Sequence, residues 1–311
     1  MCSHSRRASE GTSYGSCSSF SRSGSVSNAD RMRSAAACAL CGSGDPTLTV
    51  AGVEQPFAGR LRSAVELQYR SDEIGRAGLD RSQIDEVRAD LSVAWAPDSR
   101  WLILAALPLL YRQVQDTSLA RSQTWGPGEL ELDAKWFVWR DRELAPRWLV
   151  AAVGGVKLPT SPFRTDARAR YLPLEAQPGS GSWDLIFGPS LAAFAGSSSG
   201  YASVKCILPV HAREPFEPGS SVRADLALQQ QIWPWLAVRA ASELRADRQS
   251  REAGQPDPDS GGAIAFVGAD LVWSPLEDFV AQLGARVPVI QRWHGDHEEG
   301  AALRVGMVRD W

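Results

Sequence analysis

From Arg60 to Arg70 the chain alternates, with Leu61, Val65, Leu67 and Tyr69 on one parity and Arg62, Glu66, Gln68 and Arg70 on the other. Successive side chains of a strand point to opposite faces, so this pattern predicts a β-strand with one apolar and one charged face. It returns at Glu86–Trp95, where Val87, Ala89, Leu91, Val93 and Trp95 oppose Glu86, Arg88 and Asp90. At Glu129–Val138, Leu130, Leu132, Ala134, Trp136 and Val138 oppose Glu129, Glu131, Asp133 and Lys135. At Val222–Ile232, Val222, Ala224, Leu226, Leu228 and Ile232 oppose Arg223, Asp225, Gln229 and Gln231. Helical periodicity fits none of these segments. The apolar face would be the core of a soluble sandwich or the lipid side of a barrel, and alternation alone leaves both open.

Strand length and connection length favour the barrel. Extended segments are expected near Arg60–Asp72, Gln83–Ala96, Arg100–Gln113, Glu129–Arg140, Pro146–Pro159 and Ser182–Ala195. Six more are expected near Gly200–His211, Ser221–Trp233, Trp235–Ala246, Gly262–Ser274, Asp278–Arg292 and Gly300–Trp311. This gives about twelve strands, many of them near the roughly nine to eleven residues that a tilted strand needs to cross a bilayer. Short turns rich in Pro, Asp or Gly, such as Ala96–Ser99, Asp141–Ala145, Gly196–Ser199, Trp233–Trp235 and Ser274–Glu277, alternate with longer polar stretches. The longest of those stretches is Thr160–Gly181. Short turns at one rim and long loops at the other are the plan of an outer-membrane barrel. The fold expected is all-β: an antiparallel up-and-down transmembrane β-barrel of about twelve strands, residues 56–311, preceded by a disordered tail, residues 1–55.

Trp95, Trp101, Trp148, Trp233, Trp235, Trp273 and Trp311 fall near the short-turn ends, where an amphipathic indole suits a membrane interface. Trp311 closes an alternating segment and is the expected C-terminal signal for the barrel-assembly machinery. Trp101–Leu110 is the longest candidate for an apolar span and is only half the length of a transmembrane helix. A pI near 5.9 without a basic patch argues against nucleic acid as a partner.

The first fifty or so residues are Ser-rich, and Met1–Arg33 lacks the apolar segment that export requires. Residues 1–55 are read as a signal remnant, ending in Ser34–Ala37, or as the product of a start assigned too far upstream; a soluble cytoplasmic chain is the alternative. Cys38 and Cys41 form a CxxC without the second pair that zinc needs or the histidine that haem attachment needs. Cys206 alternates with Val204 and Leu208 and is read as a small lipid-facing hydrophobe.

Three motifs carry a family resemblance. Gly126–Lys135 resembles the strand opening with Gly-x-Gly-Asp in the bacterial outer-membrane transporter family named for the meta-pathway of phenol degradation. Gly154–Thr160 looks like that family's next strand, and Gly179–Asp184 like the loop and strand entry after it. Pro127 and Glu129 depart from the first motif. The resemblance spans roughly residues 60–311 and implies an outer-membrane channel for small, hydrophobic or aromatic molecules.

The glycines of these motifs, Gly126, Gly128, Gly154, Gly155, Gly179 and Gly181, are read as barrel curvature and loop turning rather than as ligand contacts. The chain has three lysines, Lys135, Lys157 and Lys205, and all lie on inward parity with acidic neighbours available in Glu131, Asp133 and Asp184. Together with Arg62, Glu66, Arg223 and Asp225 they are the candidates for a lumen or translocation path, either as ion-paired filling or as a polar route. Enzymatic readings find little support, because a Ser-His-Asn arrangement needs an Asn and the only one is Asn28 in the tail. His294–Glu298 is read as a solvated loop rather than a metal site, and neither cofactor nor metal is expected. Two functions remain: a passive channel for a small-molecule solute, with the lipid bilayer and the assembly machinery as partners, or a structural or ligand-binding barrel plugged by ion pairs.

Overall fold

The computed structural model describes residues 58–75, 81–115, 121–142, 146–165, 171–172, 176–258, 260–276 and 278–311. The expected tail of residues 1–55, with its CxxC, lies outside them. The rest forms a closed antiparallel barrel of twelve strands. These are β1 (Leu61–Ile74), β2 (Ser82–Asp98), β3 (Trp101–Gln115), β4 (in two parts, Arg121–Pro127 and Leu130–Arg140), β5 (Trp148–Leu158) and β6 (Ser182–Ala195). The circuit continues with β7 (Ser198–Ala212), β8 (Ser221–Trp233), β9 (Leu236–Asp247), β10 (Gly262–Leu276), β11 (Phe279–Trp293) and β12 (Ala302–Asp310). Each strand pairs with its sequence neighbour, and β1 pairs with β12 through Val65↔Met307 and Tyr69↔Leu303. Closure leaves no sheet edge, which a bilayer could not satisfy with hydrogen bonds.

Burial answers the question that alternation left open. On β1 the charged face is inside, with Glu66 5%, Gln68 4% and Arg70 7% exposed, while Val65, Leu67 and Tyr69 are 43%, 49% and 46% exposed. The inversion runs round the circuit: Leu132, Leu226, Leu271 and Val305 all point outward. An apolar belt of this extent, wrapped around a polar interior, is stable against hydrocarbon and not against water. The seven tryptophans of the short-turn rim are all exposed, and Trp101 stacks on Trp136, as Trp233 does on Trp235, at centroid distances of 5.9 and 5.5 Å. The turns at this rim are tight, as at Asp98, whose carboxylate accepts the backbone N–H groups of Arg100 and Trp101.

The strands begin and end within a few residues of the sequence expectation, with one exception. β4 starts at Arg121, ahead of the Glu129 expected from alternation. Neither Pro108 on β3 nor Pro127 on β4 carries an N–H, so the ladder between them is interrupted. Gly128 bridges the interruption by donating to the carbonyl of Pro108 at 2.7 Å. A Cβ on Gly128 would lie 2.7 Å from the Pro108 ring, which leaves this position to glycine. The outer half of β4 pairs with β3, and on its other edge the guanidinium of Arg164 donates to the Trp125 carbonyl at 2.8 Å. The long-loop rim also carries a small sheet made of Phe216–Glu217, Arg251–Glu252 and Gln255–Pro256.

Candidate translocation path

The lumen is filled in two layers of opposite character. Toward the long-loop rim the filling is ionic. Arg245 (β9) pairs with Glu299, Glu299 with Arg70 (β1), Arg70 with Glu86 (β2), and Glu86 with Arg112 (β3). This chain of alternating charge lets each carboxylate meet two cations, which offsets the desolvation of burying it. Lower down, pairs skip a strand: Arg304 (β12) reaches Asp270 (β10) at 2.8 Å, Arg286 (β11) reaches Glu243 (β9), and Gln282 (β11) donates to Glu66 (β1) at 2.7 Å.

On the opposite wall, Lys157 lies 2.8 Å from Glu129 and 2.6 Å from Asp184. Lys205 lies 3.0 Å from Asp133 and 3.4 Å from Glu131. Asp225 accepts from Ser203 at 3.4 Å, and Arg223 stands level with Lys205 on the neighbouring strand. Arg62 pairs with Asp310 at 2.6 Å, at the short-turn rim. Lys135 sits deepest of the three lysines, with its ammonium 4.9 Å from the Tyr201 ring centre and 5.4 Å from that of Phe137. All ten candidates therefore face inward, although they are spread over the height of the barrel rather than gathered in one constriction.

Beneath the ionic layer every strand contributes an inward apolar side chain. In circuit order these are Ala64, Ala94, Leu104, Phe137, Ala151, Ala192, Tyr201, Ala227, Ala237, Val272, Val280 and Val308. Phe194 packs against this floor from β6, and Leu102 and Leu149 complete it.

The segment 176–182, from the longest loop, folds into the lumen and is buried throughout. Its contacts are polar. The Gln177 carbonyl accepts from Arg112 at 3.1 Å, while the Gln177 side chain ties the loop to itself through the carbonyls of Arg164 and Leu172. Ser180 donates to Glu129 at 2.8 Å and accepts from Lys157 at 2.9 Å, and Gly181 N–H donates to Glu129 at 2.5 Å. Gly181 has φ +68°, a left-handed conformation that suits glycine and turns the segment back into β6. Glu129, Lys157 and Asp184 thus act together as a latch on an inward-folded loop.

Sequence reasoning placed Lys157 and Asp184 on the inner face but not Glu129 among the candidates, nor the arginine-rich half, Arg239, Arg245, Arg286 and Arg304. Parity along β9 to β12 held that signal. Glu299 had none, because it lies outside a long strand. Among the described residues no group of three or more His, Cys, Asp or Glu is placed to hold a metal ion.

Comparison with known proteins agrees at the level of fold. No protein-family model and no curated protein matches the chain. Among solved structures, the COG4313 outer membrane channel from Pseudomonas putida F1 superposes with a TM-score of 0.65 at 14% identity, covering 83% of this chain and 97% of that one. The NanC porin gives a TM-score of 0.48 at 10% identity, covering 79% and 98%. The chain has the fold of an outer-membrane β-barrel.

Proposed function

We propose that the protein is a passive, non-enzymatic outer-membrane channel for small molecules, hydrophobic or aromatic ones as the sequence resemblance implies. The observation that carries this is the attachment of the 176–182 segment: it is held in the lumen by hydrogen bonds to the charged side chains of Arg112, Glu129 and Lys157, and water can replace those contacts when the loop swings out. The likeness to the COG4313 channel is in keeping with it. The ten inward charges, Arg62 to Asp225, then line the route, and their mixed signs give weak ion selectivity.

A second reading, a plugged structural or ligand-binding barrel, is favoured by the pairs that cross the lumen between non-adjacent strands, such as Lys205 with Asp133. Uptake of the apolar probe N-phenylnaphthylamine by intact cells separates the two. Cells producing the barrel take up the probe faster than cells without it if the channel reading holds. Equal uptake at equal barrel content sinks that reading and leaves the plugged barrel.

A further inference from the structure

Ala94 and Ala96 line the inner wall near the short-turn rim, yet they are 1% and 0% exposed. A methyl group on the wall of an open water-filled lumen would be bathed in solvent. These are dry because larger side chains reach over them, chiefly Leu102, Leu104, Phe137 and Tyr201. The apolar side chains of β2 to β8 are therefore packed on one another as a floor rather than a lining, with a smaller cluster of Ala64, Val280 and Val308 across from them. It is distinct from the 176–182 plug, which meets the lumen near Gly128 and Glu129, on the long-loop side.

We propose that this floor, and not the loop plug, is the barrier to ions and the element that selects for apolar solutes. A hydrated ion that passes the ionic layer meets a section dominated by Leu102, Leu104 and Phe137, where the Tyr201 hydroxyl is already engaged with Lys135 and too few polar atoms remain to replace the ion's water shell, and a mainly apolar constriction disfavours water. An apolar solute loses nothing on entering and can displace Leu104 and Phe137 side chains by exchanging one dispersion contact for another. The ammonium of Lys135, against the rings of Tyr201 and Phe137, marks the boundary between the two layers. This inference rests on the channel reading and adds the element that selects the solute.

Planar-bilayer conductance tests it with a chain whose residues 162–178 are replaced by a short Gly-Ser linker, alone and combined with Leu104→Ser and Phe137→Ser. Heat-modifiable migration confirms folding of each, and Leu104→Ile with Phe137→Leu controls for volume. The floor predicts that the linker chain and its apolar control stay closed to ions, while the serine variant conducts at least roughly tenfold more. Comparable conductance from the linker chain with an intact floor overturns the proposal, and so does a folded serine variant that does not conduct. Probe uptake bears on the channel reading, and these conductances bear on the floor, so the two can fail separately.

Discussion

Lys205 on β7 meets the carboxylate of Asp133 on β4 at 3.0 Å, although β5 and β6 stand between those strands in the barrel wall. Both groups are buried, so the pair is a strut across a chord of the lumen. Removing one end leaves an uncompensated charge. Lys205→Met is expected to destabilise the folded barrel by about 3–5 kcal/mol, whereas Lys205→Met with Asp133→Leu restores part of the loss, the half-exposed Glu131 still lacking its cation. Urea unfolding in lipid vesicles measures both, and a double variant no more stable than the single one would argue against the strut.

Adjacent glycines on β5 have different reasons for being glycine. A Cβ on Gly155 would run into the Asp133 carboxylate, while one on Gly154 meets nothing within 4 Å. Gly155→Ala is therefore expected to displace Asp133 and lower the unfolding temperature, and Gly154→Ala to leave it unchanged. Equal effects at the two positions would count against the close approach.

Parity also predicts the response to added charge. Leu132 and Leu226 face outward, and Gln229 faces the lumen. Arginine near the bilayer midplane costs about 2–4 kcal/mol, so Leu132→Arg and Leu226→Arg should impair assembly while Gln229→Arg is tolerated. The folded fraction on heat-modifiable gels reads this directly. Tolerance at both parities is incompatible with a lipid-facing belt.

Glu299, in the loop before β12, joins Arg245 and Arg70. Burial alone would push its carboxyl up, but Arg245, the hydrogen bond with His297, and Arg70 outweigh burial and hold it below its ordinary 4.5. The sign follows from linkage: a carboxyl lowered by folding contributes its full stability above the unfolded value, and that contribution is lost as pH falls through the lowered folded value. Stability attributable to Glu299 should thus be flat from about pH 7 to pH 5 and decline only in stronger acid. Glu299→Gln should be less stable than the native chain at neutral pH and should narrow that gap on acidification, as chemical unfolding at a series of pH values would show. A gap that widens in acid would mean that the carboxyl is not held in its charged form.

The barrel was legible because its signal is repeated. Ser182–Ala195 and Ser221–Trp233 end where alternation and turn residues place them. Periodicity gives the face of a side chain and not its partner, so Lys205 was placed inward while the strand it reaches, three positions round the circuit, was not specified. The outer half of β4 was missed because Gly126–Pro127–Gly128 has the composition of a turn. The buried segment around Gln177 and Ser180 was missed for a related reason. A Pro-Gly-Ser stretch reads as a solvated loop, and only a lumen that is itself polar can hold such a stretch out of water.

A channel of this build requires the 176–182 segment to leave the lumen. Ala176 is buried within it, and a cysteine there, with the five native cysteines replaced by serine, becomes accessible only when the segment swings out. Labelling of Ala176→Cys by a membrane-impermeant maleimide added outside the cell should be slow, and faster by roughly tenfold when Lys157→Met removes the latch cation, because the segment's open population rises. A position that reacts at the same negligible rate with and without Lys157, while Arg213→Cys in the neighbouring loop labels at once, would contradict a movable cover.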